Sequence, residues 1–560
     1  MNDATNLSLK IMNDIEVKNI QQGLTYFNKL HRYSGSEDGE QAAQYLFDKL
    51  LESGIDARLY SYNLYRSLPL PSTVMIAGRS YPVTPYVYSG QCTDLQAPLF
   101  FDSLGEDNLI PIYDPHRFDN MTHKIVITFD SSYEFAVRAN HAGALAVLTV
   151  WPLRYAHHGT LGSVWGNPEP RDLLLNYPDI PFAEILGSDA IDTIEKLKLG
   201  EPIFALLTVQ MDTGVVTSSM PVGYIKGKSD QFVLLSCHYD SWHQGMTDNG
   251  AANIAVLELA RNLQRHHGQL NRSAMIAFWS GHSDGRYAGS TWFYDNHWHD
   301  LKDRCVAHVN MDIAGCKGSD SVKMYSSCIE SNQFLDEVFN DVGLSLVSAT
   351  PMPRFADQTF FGADVPLSFF PVYTDTNNEN GMSFPWWHTK EDTLDKVDIT
   401  VLMRDLRVIA RITCGLVLNE RLPIDNGKFI AFMQDQLRRL QSDLNQDFDL
   451  SPLPEKLEHL SKLYEVWQQS QVSNRGTDDP RLLSIASTLT RITYTSSSPY
   501  QQDPALSQLP FAGLQLAVNI HPDTCSPAIY LAVQTQFVRQ KNRLIDEIEK
   551  LIQTLEATGQ

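Results

Sequence analysis

Ser236-Cys-His-Tyr-Asp-Ser-Trp-His-Gln-Gly-Met-Thr-Asp-Asn-Gly-Ala-Ala-Asn253 carries three ligand-type side chains, His238, Asp240 and Asp248. Its flanks say what holds them. Ahead of it, Phe232-Val-Leu-Leu235 is a short unbroken apolar run, as a strand buried on both faces would show; after it, Ala252, Val256, Leu259, Ala260 and Leu263 recur at helical spacing. Strand, polar loop and helix in that order put the three side chains at the carboxyl edge of a sheet, where open α/β folds collect their sites. Asp248 stands at the helix entrance, where two cations could share its carboxylate, and His238 offers a neutral imidazole nitrogen beside it. Asp240, two residues beyond His238, suits a carboxylate that orients the imidazole.

A chain of 560 residues is too long for one core and implies two to four domains. Hydrophobic content of 43% and charged content of 20% are those of an ordinary globular protein, and no apolar run is long enough to cross a membrane. The opening Met1-Asn-Asp-Ala-Thr-Asn-Leu-Ser-Leu-Lys10 lacks the pattern of a secretory signal, so the expected location is the cytoplasm. The cysteines, at 92, 237, 305, 316, 328, 414 and 525, show neither metal-ligand spacing nor a disulfide framework, and read as reduced thiols. A net charge of −22 argues against nucleic acid and anionic membranes as partners, because both require a basic face.

Taken in order, residues 14–30 and 38–51 read as amphipathic helices, and Ala57–Tyr62 alternates as a strand. Between about 65 and 220 Pro and Gly are frequent and strands short, which suggests an inserted domain. Inside it, Lys124–Thr128, Phe135–His141 and Gly143–Leu148 form a small βαβ-like unit. The Pro-rich run from Trp165 to Pro181 has the character of a loop lying over a neighbouring cleft. His157 and His158, adjacent on an extended segment, point to opposite sides and read as surface residues. The α/β pattern resumes at 221–425, with strands at 231–236, 274–280, 306–311 and 366–372 separated by helices. A mostly parallel sheet with helices on both faces is expected, residues 1–64 supplying its first part. From 426 to 560 the patterns are helical only, at 427–446, 453–472, 479–491 and 526–556. In the last, Phe537, Leu544 and Leu551 fall seven apart, a stripe suited either to its own domain or to a subunit interface.

Two further groups join the first. The strand at 306–311 delivers Asp312 in Asn310-Met-Asp-Ile-Ala314, and Trp386-Trp-His-Thr-Lys-Glu-Asp392 places His388 in an aromatic loop. Two His and two Asp at positions that follow strands, all in one predicted domain, could hold two zinc ions with Asp248 between them.

With these residues in view, the sequence resembles the zinc aminopeptidase and glutamate carboxypeptidase superfamily, which includes the transferrin receptor ectodomain and the glutaminyl cyclases. The resemblance rests on His-Tyr-Asp-Ser, Thr-Asp-Asn-Gly-Ala-Ala, the strand-end Asn-Met-Asp and the late His-Thr, in that order. Residues 65–220, with Arg138-Ala-Asn-His-Ala-Gly-Ala-Leu-Ala-Val147, resemble the family's protease-associated domain, and the helical tail resembles its dimerisation domain. The resemblance implies that His238 and Asp312 bind one metal and His388 the other, with Asp248 bridging and Asp240 orienting His238. It also implies a homodimer through the tail and one or two divalent ions, zinc first.

The departure follows the strand at 274–280. Family members carry two consecutive Glu there, one the general base and one a ligand of the second metal. This chain has Trp279-Ser-Gly-His-Ser-Asp-Gly-Arg-Tyr-Ala-Gly-Ser290, without a Glu. Aligned on Trp-Ser-Gly, the pair becomes His282 and Ser283; aligned on the later Gly-Ser, it becomes Ser283 and Asp284. His282 as base with Asp284 as metal ligand is a third arrangement, and His282, Ser283 and Asp240 stand together as the candidate catalytic residues. Arg286, Tyr287 and Trp387 are close enough to touch substrate, and a guanidinium can grip a carboxylate with two hydrogen bonds. The expected function is metal-dependent hydrolysis of a peptide or related small amide. The alternative is a non-catalytic binding or scaffold protein that keeps the peptidase fold.

Overall fold

The computed structural model describes residues 3–557 apart from 106–114, 328–331, 347, 353, 376–383, 471–479, 507–508 and 519. Cys328 and the ends of two expected helices, 471–472 and 479, fall outside the described residues. The other six cysteines are free thiols.

One sheet of eight strands positions the site. From edge to edge it runs Asp56–Pro69, Met211–Ile225, Arg272–Trp279, Ser229–His238, Cys305–Asn310, Leu367–Thr374, Ser321–Ser326 and Ala349–Pro351. The Arg272–Trp279 and Cys305–Asn310 strands are buried at every residue, and Ser229–His238 from Phe232 onward. Full burial explains why these strands are continuous apolar runs. Ser229–His238 pairs in parallel with both neighbours, but Asp56–Pro69 runs antiparallel to Met211–Ile225, as does Arg272–Trp279, and Ser321–Ser326 runs antiparallel to Leu367–Thr374. The expectation of a mostly parallel sheet is thereby corrected to a mixed one. Its cause is a long two-stranded arm that local patterning does not reveal, because its partners lie some 150 residues apart and only register joins them, Tyr62 with Ser218 for example.

Helices cover both faces. On one side Ala251–Arg265 and Ile399–Leu418 pack with Val17–Phe27 and Glu37–Glu52 around Leu24, Leu46, Val256 and Ile409, all nearly inaccessible. A further helix, Asp3–Asn13, was not expected from the pattern, yet its Ile11 is fully buried in the same core. Glu37–Glu52 begins where the Ser36 hydroxyl accepts the Gly39 N–H, with Glu37, Asp38 and Glu40 in its first turn to meet the positive helix end. On the other side Ala288–Asn296 and Trp298–Arg304 pack through Phe293, Tyr294 and Leu301.

Seven strands between Ser72 and Val209 close into a small barrel with its own core around Val74, Ile127, Leu148 and Leu207. Its Trp165 loop lies on the main sheet's connection: the Trp165 indole N–H donates to Thr359 Oγ1 at 3.0 Å, and Gly166 N–H to Arg286 O at 2.7 Å. Gly166 has φ +79, and a Cβ there would meet Thr291 Cβ at 2.6 Å, so the approach requires glycine.

Helices Asn426–Asp443, Leu453–Ser470, Pro480–Tyr494 and Pro527–Ala557 follow the sheet. Phe537, Leu544 and Leu551 are buried at 3%, 3% and 6% exposure against Leu457 and Leu460 of a neighbouring helix. These three residues of the stripe are packed within the chain. None of the described helices is long and apolar enough to cross a membrane.

Candidate metal centre and the cavity above it

Ser229–His238 ends at His238, and its parallel neighbour Cys305–Asn310 ends two residues before Asp312, so the sheet itself brings the two together. His238 Nε2 lies 3.1 Å from Asp248 Oδ1 and 3.2 Å from Asp312 Oδ1. His388 Nε2 lies 3.2 Å from the other oxygen of the same carboxylate, Asp248 Oδ2. One carboxylate thus faces two imidazoles, each through a different oxygen. The far nitrogens are fixed by carbonyls: His238 Nδ1 is 3.0 Å from Asp240 O, and His388 Nδ1 is 2.9 Å from His158 O. Both Nε2 atoms are therefore turned to the same centre.

The donor set fits a divalent ion. Atoms bound tetrahedrally to zinc at about 2.0–2.2 Å stand about 3.3–3.6 Å apart, within a few tenths of the spacing around His238 Nε2. Asp248 Oδ1 is buried and, among the described residues, has no neighbour but the His238 imidazole at 3.1 Å to meet its charge, an anionic acceptor that a cation would satisfy. Burial pushes the Asp248 carboxyl up, but the hydrogen bonds from His238 and His388 outweigh it and hold the group well below the usual range. Burial likewise lowers His238, and the charge of Asp312 with the bonds to Asp240, Asp248 and Asp312 raises it instead.

The loop after Trp279 decides which of its own residues faces these groups. Ligand atoms of His238, His282 and Asp312 lie within 4.8 Å of one another. The His282 ring stacks on His238 with centroids 3.7 Å apart and planes 6° from parallel, and its Nδ1 is 2.8 Å from Asp357 Oδ2. Asp284 is elsewhere: its carboxylate accepts the Ser34 N–H at 3.1 Å, and burial followed by the charge of Asp240 pushes it up to about 6. The geometry therefore departs from the expectation that Asp284 reaches a metal. Asp240 accepts the N–H groups of His282 at 3.2 Å and Ser283 at 2.9 Å, and its carboxylate stands 3.7 Å from His238 Nδ1. Its carboxylate orients the loop, while its carbonyl orients His238.

Several supporting groups escape a reading of the sequence. Asp392 accepts from Thr247 N–H at 2.9 Å, Thr247 Oγ1 at 2.8 Å and Asp248 N–H at 2.9 Å, fixing the turn that carries Asp248; burial pushes it up to about 7. Arg32, fully buried, donates to the carbonyls of Tyr239, Gln244 and Gly245 at 2.7, 2.6 and 2.9 Å, and burial lowers it to about 10. Asp357 also accepts the Ser290 hydroxyl at 2.6 Å. Asp392 lies four residues beyond His388, a visible clue; Arg32 and Asp357 stand alone in sequence and carry none.

A cavity of about 550 Å³ opens over these groups, lined by Asp248, His282, Asp312 and His388 with Ser283, Arg286, Tyr287 and Trp387. The barrel supplies its other wall, which corrects the reading of His157 and His158 as surface residues. They do point apart, His157 stacking on Trp151 at 4.1 Å and His158 on Trp242 at 4.4 Å, but both sides are interior because the barrel packs on the sheet. Glu184 holds His157, its Oε2 3.0 Å from Nδ1.

Known proteins resemble this part of the chain. Residues 222–413 match the model of peptidase family M28. The chain is 33% identical over 97 residues to the probable glutamate carboxypeptidase VP8 of Zea mays, covering 16% of this chain and 14% of that one. It is 25% identical over 281 residues to the aminopeptidase NAALADL1 of Mus musculus, covering 42% and 37%. The matches thus span less than two-fifths of these curated relatives. Among solved structures, BSAP, a zinc aminopeptidase from Bacillus subtilis, shares the fold with a TM-score of 0.56 at 19% identity, over 73% of this chain and 97% of that one. The segment that gathers His238, Asp248, His282, Asp312 and His388 is the segment that matches the model of peptidase family M28.

Proposed function

We propose that the chain is a metal-dependent hydrolase of peptide or related amide bonds in which an imidazole, His282, replaces the conventional carboxylate base. The observation that carries this reading is the placement of His282: stacked on His238, bound through Nδ1 to Asp357, and lining the cavity. His238, Asp248 and Asp312 would hold a divalent ion, with zinc the choice that the relatives favour, and Asp248 with His388 would hold a second more weakly for want of a third carboxylate. Such an ion supplies Lewis acidity toward water and the substrate carbonyl. His282 Nε2 takes a proton from water as it attacks and returns one to the departing amine. Asp357 keeps the other ring proton on Nδ1 and balances the charge that forms on the imidazole. Residues 65–220 act as a protease-associated-like insert that walls the cavity, and residues 426–560 as a helical tail on the catalytic unit.

The test is chelator-treated protein reconstituted with zinc and offered N-acyl amino acids, dipeptides and aminoacyl anilides. Restored hydrolysis, lost in His238→Ala together with zinc, is expected. Zinc binding that survives His238→Ala, or full occupancy with no turnover of any amide, would favour the scaffold reading.

A further inference from the structure

Arg286 lines the same cavity as His282, and among the described residues no ion pair balances its charge. A guanidinium presents five N–H donors. In Arg286 one Nη1–H reaches Tyr287 Oη at 3.2 Å and one Nη2–H reaches the Ala505 carbonyl, both neutral acceptors. Its Nε is buried and has no hydrogen-bond partner, and among the described residues no carboxylate forms an ion pair with it. A partly buried cation with donors to spare costs free energy unless an anion meets it. The backbone confirms that the placement is enforced: Arg286 and Tyr287 have φ of 49° and 68°, a left-handed pair that side-chain-bearing residues adopt only when held there. Gly166 N–H holds the Arg286 carbonyl at 2.7 Å. Among the described residues Arg286 is the only Lys or Arg that lines the cavity.

The position relative to the proposed base sets what such an anion can be. The Tyr287 ring lies 5.0 Å from the His282 ring and 5.0 Å from Arg286 Cζ, so base and guanidinium flank one aromatic side chain. Trp387, Phe355 and Phe370 add apolar surface to the same cavity.

We infer that Arg286 is the receptor for a free carboxylate on the substrate, making the substrate class an amide that carries a carboxylate within a few bonds of the scissile carbonyl, such as an N-acyl amino acid or a dipeptide. This rests on the hydrolase reading above and narrows it. A carboxylate accepts two parallel N–H bonds from a guanidinium, an arrangement a Lys ammonium cannot copy.

Matched substrates test it: the zinc-loaded protein is given an N-acyl amino acid series and the same compounds as C-terminal carboxamides. The carboxylates should be preferred in kcat/KM by about 10- to 100-fold, the worth of hydrogen bonds to a charged group. Arg286→Ala should erase that preference by slowing only the carboxylates, and Arg286→Lys should restore part of it. Calorimetric binding of a free N-acyl amino acid, followed in wild type and Arg286→Lys, gives a readout without turnover. No preference in the wild type, or equal loss on both series in a folded Arg286 variant, would overturn the inference. If nothing is hydrolysed, the hydrolase reading fails by itself; the carboxylate site then stands if calorimetry shows binding weakened in Arg286→Lys, and falls if the wild type binds none.

Discussion

Asp357→Asn isolates the pairing of His282 with its carboxylate. Asp357 is fully buried and takes His282 Nδ1 at 2.8 Å and the Ser290 hydroxyl at 2.6 Å. Asparagine keeps the volume and one acceptor oxygen, so the fold should survive, but the charge is lost. Hydrogen bonds to charged groups contribute about 1.5–3 kcal/mol against about 0.5–1.5 for neutral ones, so the ring's hold weakens by about 1–2 kcal/mol. The larger effect falls on the reaction, because the imidazolium formed as His282 takes a proton no longer faces a carboxylate, and the amide can select the wrong tautomer. In a serine protease triad the corresponding exchange costs about 10⁴ in kcat. Here kcat should fall by about 10²–10⁴, the range of general base catalysis, with zinc content and KM near those of the parent. Steady-state kinetics and metal analysis on Asp357→Asn and His282→Ala measured together decide the matter. Zinc lost along with turnover in His282→Ala would make His282 a ligand. Turnover intact in Asp357→Asn but gone in His282→Ala would refute the pairing.

Three further outcomes are expected. Asp248→Ala should lose more zinc than Asp312→Ala, because Asp248 faces both His238 and His388 whereas Asp312 faces only His238; equal losses by metal analysis would count against a shared carboxylate. Burial holds Glu184 up at about 8 against an ordinary 4.5, partly relieved by the His157 N–H, so its proton stabilises the fold below the unfolded value and that share disappears as pH rises through the folded one. The thermal midpoint of the wild type should therefore fall relative to Glu184→Gln between about pH 5 and about pH 9, and a constant difference would show that burial does not raise Glu184. Asp503, fully buried, pairs with Arg354 and accepts Ser496 Oγ at 2.8 Å and Ser497 N–H at 2.7 Å, tying the tail to the loop before Asp357. Asp503→Ala should cost about 3–5 kcal/mol by denaturant unfolding, since it strands a buried guanidinium, and a loss under about 1 kcal/mol would refute that accounting.

The sequence by itself determined the elements that continuous local patterns encode. Phe232–Leu235 with the helical spacing from Ala252 to Leu263 was enough to place His238 and Asp248, because a buried strand and an amphipathic helix each declare themselves within a dozen residues. The same holds for Asp312 at the end of Cys305–Asn310 and for the helices of the tail. What the tertiary structure alone decided is whatever depends on which segments meet. Whether His282 or Asp284 faces the metal-type residues turns on one residue of slippage in a glycine-bearing loop. Sequence spacing left the frame open, and the Asp240 carboxylate fixes it by taking the N–H groups of His282 and Ser283. The antiparallel arm of the sheet joins strands separated by the whole barrel, so no local period could announce it. His157 and His158 became cavity walls, not surface, because the barrel folds back onto the sheet. Asp357 and Arg32 are single residues with no pattern around them; burial and partners distant in the chain give them their roles, and only the folded chain supplies those.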